Sequence, residues 1–123
     1  MKLLGIRYCT VSKQAEAIAR FLGTAGLGLP ERDMGASDTF QGAVFPADAS
    51  TWVEVWPEME GFEAMTMLQV VVDDADAFAE HARKNGLEPK GPMDAHGERI
   101  YMLEGPDGLK MSFQSKLSES SEG

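Results

Sequence analysis

The stretch Val72-Asp73-Asp74-Ala75-Asp76-Ala77-Phe78 closes an apolar strand and opens a helix, and Val11-Ser12-Lys13, about 60 residues earlier, makes the same transition. Both helices are alanine-rich and both end on glycine and leucine with a proline just beyond: Gly26-Leu27 before Pro30, then Gly86-Leu87 before Pro89. An internal repeat of this kind marks a duplicated supersecondary unit. Each helix is followed by short strands punctuated by turn residues, so the chain reads as two βαβββ modules. The fold class is α+β, with the modules forming a curved mixed sheet. The expected organisation is a single domain over residues 1–116, split into modules 1–60 and 61–116, with 117–123 a disordered tail; Ser115 to Gly123 holds almost no apolar residue.

Working outward, Leu3 to Val11 reads as the first strand and Ser12 as the helix N-cap. Ala15, Ile18, Ala19 and Leu22 recur at helical spacing with Phe21 beside them. In the second module Asp74 is the N-cap, Ala75, Phe78, Ala79 and Ala82 form the stripe, and Asn85-Gly86 stops the helix. The spacing predicts strands at Gly28–Met34, Gln41–Pro46 and Thr51–Trp56, then at Glu88–Met93, Glu98–Leu103 and Leu109–Gln114. Turns fall at Pro46-Ala47-Asp48, His96-Gly97 and Gly105-Pro106-Asp107-Gly108.

Alternation along strands sorts side chains onto two faces. One face is apolar and lies under the helices. The other is mixed and carries Trp52, Glu54, Trp56, Met67, Gln69, Lys110, Ser112 and Gln114. Two indoles flanking a carboxylate expose too much apolar area to be left in water, so this face lines a cavity or meets a second subunit.

The 123 residues suffice to bury a core without staples. Twenty acidic against eleven basic residues give a formal charge of −9, which opposes binding to nucleic acid. With one cysteine, Cys9, no intramolecular disulfide can form; Cys9 reads as a small buried hydrophobe. No segment reads as a signal peptide or a membrane span, so a cytoplasmic protein with no membrane partner is expected.

This layout resembles the vicinal oxygen chelate superfamily, which includes glyoxalase I, the bleomycin-resistance proteins and the extradiol dioxygenases. The resemblance runs from Leu3 to about Gln114. It is carried by Val11-Ser12-Lys13, by Phe21-Leu22 followed by Leu27-Gly28-Leu29, by Val72 to Phe78, by Gly97, and by Gly105-Pro106-Asp107-Gly108, similar to the family's Asp-Pro-Asp-Gly turn. Metal enzymes of this superfamily place one ligand on each of the first, fourth, fifth and eighth strands. The resemblance maps these positions to Ile6 or Arg7, Glu54, Met67 and Ser112. One carboxylate in that set does not make a site for a divalent ion, so no metal and no cofactor are expected. His81 lies opposite its helix's apolar stripe and reads as solvated, and His96 is a turn residue.

Three functions fit. The first is a metal-free, small-molecule-binding protein of the glyoxalase/bleomycin-resistance type, holding a cationic or aromatic ligand on Trp52, Glu54, Trp56, Met67, Gln69, Lys110 and Ser112. The alternative is a glyoxalase-like lyase or dioxygenase with a non-standard site. The third is metal-free catalysis, with Glu54 a base whose pKa desolvation would raise and Tyr8 or Tyr101 an acid. The resemblance also implies a homodimer.

Overall fold

Leu3–Ser12 is the first strand, β1, and the helix that follows, α1, spans Ala15–Leu22. In this computed structural model, which describes residues 1–35 and 39–117, the remaining elements are β2 (Ala43–Pro46), β3 (Trp52–Pro57), β4 (Met65–Val72), α2 (Ala75–Lys84), β5 (Lys90–Ala95), β6 (Glu98–Glu104) and β7 (Lys110–Lys116). The tail expected to be disordered lies, from residue 118 on, outside the described residues. The chain divides into two compact units, Arg7–Met67 and Met1–Ile6 with the residues from Leu68 on.

The Arg7–Met67 unit orders its strands β2-β3-β1. β1 and β3 run parallel, with Arg7 opposite Trp52, Cys9 opposite Glu54 and Val11 opposite Trp56, while β2 joins β3 antiparallel. Ala15 and Ala19 of α1 pack on Ala43, Phe45 and Val55, and Ile18, Leu22, Leu29, Phe40 and Val53 close around them. The small alanines let the helix approach the sheet closely. Phe21, expected beside the stripe, is 71% exposed.

Gly28–Met34 is not a strand. The amides of Gly28 and Leu29 are spent on the carbonyls of Gly23 and Leu22 at the end of α1, and Pro30 has no amide to give. A single bond, Arg32 N–H to the Val44 carbonyl at 2.8 Å, ties the segment to β2. Ser12 is not the N-cap of α1 either. Because β1 continues to Ser12, its hydroxyl lies early and accepts from the Gln14 amide at 2.9 Å in a local turn. The helix starts after Gln14, without a side-chain cap.

The second unit orders its strands β4-β7-β6-β5, with β4 and β7 parallel and the others antiparallel. It therefore completes the βαβββ pattern that the first unit carries without its edge strand. Asp74 caps α2 as expected, its carboxylate accepting from the Ala77 amide at 3.1 Å. Ala75, Ala79 and Phe78 pack on Val70, Val72, Tyr101, Leu103 and Phe113. The Tyr101 ring stacks on Phe113 with centroids 5.2 Å apart, and its hydroxyl donates to Asp76 at 2.5 Å. That bond, with Arg99 beyond it, holds the Asp76 carboxyl below its usual range.

Candidate functional site

Glu54 is the centre of the mixed face in the Arg7–Met67 unit. β-alternation sends Trp52, Glu54 and Trp56 to one side of β3, and the two indoles turn inward onto the carboxylate between them. Trp52 Nε1 donates to one Glu54 oxygen at 2.6 Å and Trp56 Nε1 to the other at 2.8 Å. Charge-assisted bonds of this length are among the stronger ones in proteins. All three side chains are half-buried. The rings are thus fixed in orientation while part of their surface stays accessible.

The parallel register with β1 adds Arg7, Cys9 and Val11 to this face, each of them buried. The Arg7 guanidinium lies 3.6 Å from the Trp52 ring centroid and its Nε donates to the Ser50 carbonyl at 3.2 Å. A second guanidinium, that of Arg32, lies 4.9 Å from the same centroid. The Cys9 thiol hydrogen-bonds Glu54; burial first, then the Glu54 charge and that bond, push it up to about 12. Trp56 rests against Gly42, where a Cβ would fall 2.1 Å from a ring carbon.

Cys9 is therefore a donor in the site as well as a buried small side chain. The thiolate, not the thiol, reacts with alkylating agents. Native protein held with iodoacetamide at about pH 8 should keep Cys9 unmodified, and denaturant should expose it; intact-mass analysis checks both states. Because the folded thiol titrates above its ordinary value of 9.0, its contribution to stability is complete below that value and is lost as pH rises towards about 12.

The other expected site residues lie as follows. Met67 is buried in the Arg7–Met67 unit. Gln69, Lys110 and Ser112 belong to the second unit, where Gln69 pairs with Ser112, Ser112 donates to Gln114 at 2.7 Å, and Gln114 donates to Glu98 at 3.1 Å. Ser112 and Gln114 are buried and Lys110 is exposed. Tyr8 pairs with Val53 on the opposite side of the strands from Glu54, and Tyr101 faces α2 in its own unit. His81 and His96 are both exposed. Arg32 and Gly42 went unread as site residues: both fell inside expected strands, and nothing in the sequence shows which tryptophan each lies against.

No protein-family model matches the chain, and no curated protein sequence matches it. Its backbone is similar to solved structures. A glyoxalase/bleomycin resistance protein/dioxygenase superfamily member from Vibrio splendidus 12B01 superposes with a TM-score of 0.62 at 15% identity, covering 93% of this chain and 99% of that one. A methylmalonyl-CoA epimerase from Mycobacterium tuberculosis gives 0.61 at 11%, covering 99% and 92%. An NAD-dependent benzaldehyde dehydrogenase from Legionella pneumophila gives 0.62 at 13%, covering 90% and 98%. The chain has the vicinal oxygen chelate fold. Neighbours so different in name show that this scaffold does not fix an activity.

The metal that the fold family implies does not fit the residues at its positions. Both Glu54 oxygens already accept indole N–H bonds. The first-strand residue on its face is Arg7, whose guanidinium only donates hydrogen bonds and has no lone pair to give a metal. Met67 offers a thioether, and the Ser112 hydroxyl is engaged with Gln114. Among the described residues no three His, Cys, Asp or Glu side chains come together as a metal site.

Proposed function

We propose that the chain is a metal-free, small-molecule-binding protein that holds a flat aromatic or cationic ligand on the Trp52–Glu54–Trp56 face. The carrying observation is the double indole bond to Glu54. It fixes two half-buried aromatic rings in advance, so a ligand stacking on them does not bear the entropy of ordering them. A stacking or cation–π contact with an indole is worth about 0.5 to 2 kcal/mol. The formal charge of −9 favours the approach of a cation.

These are the chain's only two tryptophans, so intrinsic emission reports this strand alone. A flat aromatic cation should quench or shift it, and Trp56→Phe should weaken binding by a few-fold to about thirtyfold. If the same substitution loosens subunit association and leaves every ligand affinity unchanged, the face is a subunit contact and the assignment fails. The lyase or dioxygenase reading lacks a donor set, and base catalysis with Tyr8 lacks a shared face.

The proposal includes a cytoplasmic homodimer. At the start of β1, Leu4 and Ile6 are exposed at 51% and 47%, uncharged surface on an acidic chain that suits a second copy. Sedimentation at micromolar concentration should give twice the chain mass. A monomer throughout that range would refute the dimer. No helix among the described residues is long and apolar enough to cross a membrane.

A further inference from the structure

Arg32 is the second cation over the Trp52 ring. Its guanidinium lies within the roughly 6 Å range in which a cation is held over an aromatic ring. It differs from Arg7 in one decisive respect. Arg7 is 5% exposed and bonded to the Ser50 carbonyl, a fixed part of the face, whereas the Arg32 side chain is exposed. Only its backbone is fixed, through the bond to the Val44 carbonyl, and Val44 is the register partner of Glu54.

An open pocket of about 490 Å³ in the same unit has Arg32 in its wall, together with Phe40, Gly42, Glu16, Glu31 and Asp33. Gly42 is the residue against which the Trp56 ring rests. The pocket wall thus includes one residue that lies over Trp52, Arg32, and one that touches Trp56, Gly42. Glu16, Glu31 and Asp33 line the same pocket as Arg32, and three carboxylates against one guanidinium make it favourable to a positive group.

We propose that Arg32 is an internal stand-in for the ligand. It covers Trp52 until a flat cationic group, an amidinium or guanidinium or a charged aromatic ring, displaces it and lies on the indole in its place. This rests on the reading that the tryptophan face binds a small molecule, and it narrows the ligand class to cations that mimic a guanidinium. An exposed stack of this kind is worth only about a two- to fivefold advantage, small enough for a ligand to overcome.

The test titrates benzamidinium, neutral benzamide and benzoate against the parent and Arg32→Ala, following tryptophan emission. Removing the competitor should tighten benzamidinium by about three- to fivefold. The gain should persist in about 0.5 M salt, where screening acts within about 4 Å and a through-space charge effect fades. Arg32→Gln, which keeps the chain length, should move in the same direction. Unchanged or weaker benzamidinium binding in both variants overturns the proposal, as does a gain that disappears in salt. Benzoate binding best and losing affinity in Arg32→Ala also overturns it, because Arg32 would then be an anion anchor; in either case a Trp56-dependent response to any probe leaves the binding reading standing. If no probe alters the emission of any variant, that reading falls, and the proposal with it.

Discussion

Glu54→Gln is expected to cost the folded protein about 2 to 4 kcal/mol, although it changes one atom and hardly any volume. Each carboxylate oxygen accepts an indole N–H, and the Cys9 thiol adds a third donor. A glutamine amide has one oxygen. Its NH₂ must face an indole N–H, donor against donor, and the bond that survives loses its charge assistance. Hydrogen bonds to a charged group contribute about 1.5 to 3 kcal/mol, and a half-buried donor left unsatisfied adds to the loss. Urea unfolding followed by tryptophan emission should show the midpoint falling by about 1 to 4 M, given slopes of about 1 to 2 kcal/mol per molar for a chain of this size. A midpoint unmoved within about 0.2 M on that scale would mean the carboxylate is not the acceptor. Glu54→Gln is consequently a poor probe of ligand charge, since it disturbs both rings that would report binding.

Gly42→Ala is expected to be at least as damaging, about 3 kcal/mol or more. The backbone there has φ of +124°, which an alanine adopts only with strain of about 1 to 3 kcal/mol. The new methyl would meet Trp56 ring carbons at 2.1 and 2.3 Å. Trp56 must then leave Gly42, and the 2.8 Å bond to Glu54 breaks with it. Gly61→Ala is the control: its φ is also positive, at +78°, but nothing lies within 4 Å of the added carbon, so only about 1 kcal/mol of backbone strain is expected. If calorimetry finds the two variants equally stable, the close packing of Trp56 on Gly42 is not a feature of the folded protein. A red-shifted emission confined to Gly42→Ala would identify the expelled indole.

What the sequence made legible was local. The Asp74 cap, the alanine stripes and the period-2 run around Glu54 are set by residues within one or two turns of each other, and their chemistry can be read directly. The second unit follows its pattern closely for that reason. The first departs at Gly28–Met34, where the spacing of the repeat suggested a strand but the first amides were claimed by the end of α1. The site was only half legible. Alternation placed two indoles and a carboxylate on one side of a strand, but Arg7 and Cys9 join them through a parallel register between residues more than 40 positions apart. Nothing in the sequence fixes that register, and the same ignorance allowed Tyr8 to be considered beside Glu54 when it faces the other way.

The outermost strands bear on how the chain behaves at high concentration. Without its expected neighbour, β2 is the outer strand of its unit; it is four residues long, ends in Pro46, and has one carbonyl already taken by the Arg32 amide. In the other unit β5 is outermost, carries Pro92, and slips register between Lys90 and Met93. A growing fibril needs a straight row of free amides and carbonyls, and neither border offers one. Both border strands therefore resist strand-by-strand self-association, and copies that meet at either border must do so through side chains.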